Sequence, residues 1–126
     1  MAQAANEGPG AGSVLNDVQL IGRISAPAER RVMPSDDELV SFRLVVDRAR
    51  LGKPVTDRKR PTVDVIDVAC WTARTRKVAL ALQPGDVVRV QGALRRRFWK
   101  AGGGAVSRHE VEAASVARVR GVGARR

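Results

Sequence analysis

This sequence has few of the residues that are typical of disulfide-stabilised, metal-binding or membrane proteins. Its 126 residues include one cysteine, one histidine and no tyrosine, which excludes an internal disulfide and a zinc site built from cysteines. No apolar run approaches the ~18 residues of a membrane span, and the N-terminal segment lacks the regions of a secretory signal. We therefore expect a cytoplasmic protein that does not partner with a membrane.

Catalytic motifs are also missing. The sequence contains no phosphate-binding glycine loop, no GxSxG motif and no histidines paired at ligand spacing. Asp64 and Asp67 lie three positions apart, and this odd spacing places them on opposite faces of a strand and argues against a shared carboxylate site. We expect no enzymatic activity, no metal and no cofactor, because a nuclease would need a metal or nucleophile that we do not find.

Basic residues clearly outnumber acidic ones. Lysine and arginine total 23 against 13 aspartates and glutamates, for a formal charge of +10, and such an excess favours a polyanionic partner. The length predicts one domain. We assign residues 1–13 to a disordered leader, 14–119 to the domain and 120–126 to a short basic end.

Five segments show the alternation of apolar and polar residues that is typical of β-strands. A helix is predicted over residues 73–82, after Thr72 as N-cap and before the turn at Gln83-Pro84-Gly85. Three strands, one helix and two strands follow the plan of a five-stranded OB-fold barrel with one short helix between strands 3 and 4. A small β-sandwich also fits this order. The predicted strands are residues 16–25, 40–47, 63–71, 86–99 and 107–119.

The fourth predicted strand carries an aromatic and basic face. Arg95, Arg97 and Trp99 follow each other at every second position, so one face offers a ring for base stacking and two guanidinium groups for phosphates. Trp71, on the outward face of the third strand, would be a second platform. The simpler alternative is a solvated arginine face.

The remaining aromatic residues and the cysteine share the phase of apolar strand positions. Phe42, Phe98 and Cys70 are therefore assigned to packing in the core. His109 is expected to be a partly buried imidazole on a strand.

A second basic segment precedes the third strand. Residues 43–60 contain seven basic and two acidic residues, and the glycine and prolines within residues 51–62 predict a flexible hairpin tip. The candidate nucleic-acid-contacting residues are Arg43, Arg50, Lys53, Arg58, Lys59, Arg60, Trp71, Arg74, Arg95, Arg97 and Trp99.

The segments NDVQLIGRI, VSFRLVVD, VDVIDVACW and QPGDVVRVQGALRRRFW together resemble the bacterial single-stranded DNA-binding proteins over residues 16–119. The N-x-V-x-L-x-G-R start and the G-D-x-V-x-V-x-G-x-L-R-x-R-x-W strand are specific in combination. The resemblance implies an OB-fold that coats single-stranded DNA with little sequence preference in replication, recombination or repair. It puts Trp99 and Trp71 at base-stacking positions, and residues 53–60 in a hairpin that embraces DNA.

The resemblance also implies an assembly. Members of the family form homotetramers in which the first strands, here residues 16–24, pair across subunits; an assembly built from dimers is an alternative. Ile21 supports such pairing, because an edge strand that is apolar on both faces aggregates unless it is covered. From the charge, the lack of a membrane span or secretory signal and the single cysteine, we expect the protein in the cytosol and associated with the nucleoid. The expected interface residues are Val18, Leu20, Ile21 and Arg23.

Three departures from the family limit what the resemblance implies. Val65 and Arg48 or Arg50 stand where well-known members have stacking residues. The acidic, Phe-ending tail of the family is absent from this sequence, which ends in basic residues, so we expect a short paralogue or a chain shortened before the tail. Recruitment of tail-dependent repair proteins is therefore not implied. The alternative function is that of an OB-fold primosome accessory factor or an RNA-binding protein.

Overall fold

The computed structural model describes residues 13–49 and 62–119, which form six strands and one helix. No helix in this part of the chain is long and apolar enough to cross a membrane. The elements in chain order are β1 Val18–Ile24, β2 Glu29–Val32, β3 Glu38–Asp47, β4 Val63–Cys70, α1 Ala73–Ala81, β5 Val87–Ala101 and β6 Gly104–Arg118.

Five of the strands close into a ring. β1 pairs antiparallel with both β3 and β5, β5 pairs antiparallel with β6, β6 pairs parallel with β4, and β4 pairs antiparallel with β3. With α1 between β4 and β5, these pairings confirm the predicted OB-fold. Strand β2, which pairs with the first half of β3, was not predicted from the sequence. All four β2 residues are exposed, so the segment lacks the alternation that marks a strand.

The core is built from the apolar phases of the barrel strands. Leu44, Val88 and Val90 are fully buried, and Phe42 is packed among them, as predicted. Cys70 is fully buried, and its burial raises the pKa of the thiol to about 11. The cysteine therefore behaves as a small core hydrophobe, as its strand phase indicated.

Helix α1 begins where the sequence predicts. The hydroxyl group of Thr72 accepts a hydrogen bond from the backbone N–H of Thr75 at 3.2 Å, which satisfies one of the unpaired donors of the first turn. Ala79 and Leu82 pack into the barrel core from this helix and its C-cap.

Strands β5 and β6 extend beyond the barrel. β5 pairs with β1 only from Val18 to Arg23, opposite residues 87–92, and β6 pairs with β4 only near Val111. Beyond these contacts, residues 95–101 and 104–110 pair only with each other, and we call this two-stranded ribbon the arm. The assignment of Phe98 to the core is wrong: its side chain lies on the arm, 66% exposed, because no other strand extends far enough to cover it. His109, also on the arm, is exposed rather than partly buried.

The Asn16 side chain holds the root of the arm. Its Nδ2 donates to the carbonyl oxygen of Leu94, and its Oδ1 accepts from the N–H of Leu94, both at 2.8 Å. The amide group thus replaces a strand partner just beyond the end of the β1–β5 ladder, which fixes where the arm begins.

The expected interface residues all lie on β1. Val18 and Leu20 pack partly against the core, Ile21 is 49% exposed, and Arg23 pairs with Asp47 at 3.3 Å. Along most of its length β1 is an edge strand, because β5 pairs with it on one side and β3 pairs only with its last two residues on the other. Residues 18–22 still lack a second neighbour within the described part of the chain.

Candidate nucleic-acid interface

One face of the arm gathers the residues that the alternation of β5 singled out. Arg95 pairs with Glu110, Arg97 with Arg108 and Trp99 with Val106, so these side chains share a face, which we call the Trp99 face. Trp99 is 43% exposed. The guanidinium group of Arg108 lies 5.8 Å from its ring centroid, within the range of a cation–π contact.

Asp67 of β4 connects this face to β3. Its carboxylate lies 3.7 Å from the guanidinium group of Arg108 and 3.6 Å from that of Arg43. The arginine side chains are 56% and 70% exposed, and exposed ion pairs contribute only about 0–1 kcal/mol. A phosphate group can therefore compete with Asp67 for either arginine.

Trp71 follows β4 directly and is half-buried. The guanidinium group of Arg97 lies 5.9 Å from the Trp71 ring, and the Trp71 carbonyl group accepts a hydrogen bond from Arg76. Arg97 of the arm therefore contacts Trp71. In the same way, Arg108 contacts Trp99 and pairs with Asp67 of β4.

Arg97 is more firmly held than the other cations of this face. Its partner Glu110, at 3.6 Å, has a side chain only 9% exposed. Burial raises the pKa of Glu110, and Arg97 partly offsets that rise. Moving Arg97 away would leave a poorly solvated carboxylate unpaired, which costs more than breaking an exposed pair. Arg95, by contrast, pairs with Glu112 at 2.9 Å with both partners about half exposed.

A groove of about 360 Å³ lies beside the Trp99 face. Its walls come from the loop after β1, from β2, β3 and β4, and from the base of the arm. Charged side chains of both signs line it: Glu29, Arg31, Arg43, Asp67, Arg97, Arg108 and Glu110.

The structure brings together only some of the predicted contact residues. Arg43, Trp71, Arg97, Trp99 and Arg95 belong to the surface just described. Arg74 lies exposed in the first turn of α1 and does not line the groove. Arg50, Lys53, Arg58, Lys59 and Arg60 lie outside the described residues.

Sequence reasoning missed Asp67 and Arg108 as members of this surface. A hairpin turn placed at residues 101–104 would have put Arg108 opposite Arg97. Asp67 gave no local signal, because its contact with Arg108 depends on the parallel approach of β4 to β6.

Comparisons with known proteins identify the family of the chain. The model of the Single-strand binding protein family matches residues 15–119. A single-stranded DNA-binding protein of Treponema pallidum is 28% identical over 102 residues, which cover 81% of this chain and 56% of that protein. One of Streptococcus pneumoniae serotype 4 is 27% identical over 86 residues, which cover 68% of this chain and 53% of that protein. The chain thus spans about half the length of the curated relatives it matches.

A solved structure supports the fold assignment. The structure described as a Plasmodium falciparum SSB complex with ssDNA is similar with a TM-score of 0.70 and 19% identity, over 91% of this chain and 99% of that one.

Proposed function

The chain belongs to the Single-strand binding protein family, and we propose that it binds and coats single-stranded DNA with little sequence preference. The observation that carries this proposal is the pairing of each tryptophan with an arginine on one continuous surface, Trp99 with Arg108 and Trp71 with Arg97. Accessible aromatic rings on which bases can stack, together with neighbouring cations, are what sequence-tolerant binding of single strands requires.

In this proposal, bases stack on Trp99 and Trp71 while phosphates recruit the exposed arginines. Arg43 and Arg108 leave their ion pairs with Asp67 and pair with phosphate groups instead. Arg95 leaves Glu112 in the same way. Arg97 stays with Glu110 and supports Trp71. Lys53, Arg58, Lys59 and Arg60 of the predicted hairpin, together with Arg50 and Arg74, add phosphate contacts.

The biological setting that we propose is the protection of exposed strands during replication, recombination or repair, in the cytoplasm and at the nucleoid. The protein acts by binding rather than by catalysis. It assembles with itself as a homotetramer through β1.

A fluorescence titration with poly(dT) at several salt concentrations tests the proposal. We expect the tryptophan emission to be quenched, and the logarithm of the binding constant to fall linearly with the logarithm of salt concentration. Single-stranded RNA and duplex DNA of equal length serve as competitors at the same salt. Preference for duplex would contradict the proposal, and preference for RNA would favour the alternative of an RNA-binding protein.

A further inference from the structure

The side of the arm that faces away from Trp99 carries a second aromatic and cationic surface. Alternate residues of the paired strands point to this side. We call it the Phe98 face, and its members are Leu94, Arg96, Phe98, Lys100, Ala105, Ser107 and His109.

Phe98 dominates this surface. Its side chain is 66% exposed, a larger fraction than the 43% of Trp99. The guanidinium group of Arg96 lies 5.0 Å from the Phe98 ring centroid and donates a hydrogen bond to the Ser107 hydroxyl group at 3.1 Å. The ring and cation are therefore arranged like Trp99 and Arg108 on the other side of the ribbon.

The two faces of the arm differ in charge. The Trp99 face carries Glu110 and Glu112 among its arginines, whereas the Phe98 face has no acidic member. Within the described part of the chain, neither Arg96 nor Lys100 takes part in an ion pair with a carboxylate. An exposed ring beside cations without carboxylate partners is complementary to a polyanion that carries flat aromatic groups.

We propose that the Phe98 face is a second contact surface for the same single strand, which passes around the arm from the Trp99 face. This rests on the proposed function. Bases stack on Phe98, and phosphates pair with Arg96 and Lys100. Phe98 and Trp99 are consecutive residues on opposite faces, so only the thickness of a two-stranded ribbon separates the two stacking platforms. The occupant is nucleic acid rather than protein because the surface combines an aromatic ring with cations alone.

Strand length separates the two surfaces experimentally. An oligo(dT) of about 4 nucleotides, the lower end of the ~4–16 nucleotides that one OB-fold covers, leaves no nucleotides to pass around the arm once it occupies the Trp99 face. We therefore expect Phe98→Ala and Arg96→Ala to bind it as the wild type does. With a strand of about 30 nucleotides, well beyond that range, Phe98→Ala should weaken binding at least roughly fivefold. Arg96→Ala should lower the magnitude of the salt slope by about 0.7 with the long strand only.

Two variants control for nonspecific effects. Leu80→Ala removes another exposed apolar side chain, 48% exposed on α1, and Arg118→Ala removes a cation at the opposite end of β6. Neither should change the binding of the long strand.

Three results would overturn the proposal. The first is that Phe98→Ala and Arg96→Ala bind the long strand as tightly as the wild type, in an assay in which Trp99→Ala binds it less tightly. The second is a lower sedimentation mass of Phe98→Ala, which would mean that a second copy of the chain covers the face. The third, no binding of either strand by the wild type, would remove the proposed function itself.

Discussion

At the scale of single residues, Trp99 is the stacking platform with the clearest prediction. Its ring is partly exposed and stands beside a cation that a phosphate can recruit. Trp99→Ala should weaken binding of single-stranded DNA by about 1–3 kcal/mol, the contribution of one stacked base. The measurement is the poly(dT) titration, followed by the anisotropy of a labelled strand. A folded variant with unchanged affinity would exclude Trp99 from the site.

Asp67 determines how much positive charge the Trp99 face offers to a strand. Because it pairs with both Arg43 and Arg108, Asp67→Asn should release two guanidinium groups for phosphates. We expect tighter binding, with a salt slope steeper by about 0.7 for each additional phosphate that a released arginine neutralises.

The matched control for Asp67→Asn is Glu38→Gln. Glu38 also lies within ion-pair distance of two arginines, Arg30 at 3.3 Å and Arg76 at 3.7 Å, but it does not line the groove. Glu38→Gln should therefore leave the dependence of binding on salt concentration unchanged. Equal effects of the two variants would mean that only net charge matters.

At the scale of secondary-structure elements, the position of the arm depends on the hydrogen bonds that hold its first residues to the barrel. Asn16→Ala removes both hydrogen bonds to the Leu94 backbone, so the Leu94 amide should exchange its hydrogen faster, by an amount that corresponds to about 1 kcal/mol. Asn16→Asp keeps the acceptor but not the donor and should lie between the two. Identical hydrogen exchange of the Leu94 amide in all three proteins would show that the two hydrogen bonds of Asn16 do not hold the arm.

The change of register in β5 places a second constraint on this element. A methyl group at Gly92 would overlap the backbone carbonyl group of Glu112, which cannot move without disturbing the β5–β6 pairing. Gly92→Ala should therefore destabilise the fold by about 1–3 kcal/mol, measured as a lower Tm by circular dichroism. Gly103→Ala, at the arm tip, has open space around the new methyl group and should leave the Tm nearly unchanged.

These elements show where sequence reasoning reaches its limit. Strands β1, β3 and β4 were predictable because each has one face in the core, which imposes alternation on the sequence. In β5 the apolar positions of Val88 and Val90 continue through Leu94 to Phe98, but the pairing with β1 ends at Gly92 and only β6 accompanies β5 further. Alternation shows which residues share a face of a strand, but it does not show whether other strands cover that face. Phe98 was assigned to the core for this reason.

The same limit applies to the candidate site. The shared face of Arg95, Arg97 and Trp99 follows from positions along one strand and was predictable. The partners of these residues were not, because the contact of Asp67 with Arg108 joins strands far apart in sequence. Local patterns therefore identified both rings and the arginines of β5, but neither Arg108 nor the carboxylates that pair with the arginines.

At the scale of the whole molecule, the open edge of β1 bears on assembly. Residues 18–22 have no partner on the side where β3 pairs with residues 23 and 24, within the part of the chain that the structure describes. Ile21, exposed on this strand, lies opposite Arg89. Pairing of two copies through this edge would satisfy its backbone groups and cover Ile21, in agreement with the proposed tetramer.

The test of this assembly is sedimentation of the wild type and of Ile21→Lys. The substitution places a second cation beside Arg89 at the proposed subunit contact, where like charges are destabilising. We expect a stable oligomer for the wild type at micromolar concentration and smaller species for the variant. Leu80→Lys adds the same charge on α1, away from β1, and should keep the wild-type mass. A monomeric wild type would contradict the tetramer. An oligomer that Ile21→Lys leaves intact would place the subunit contact on a surface other than β1.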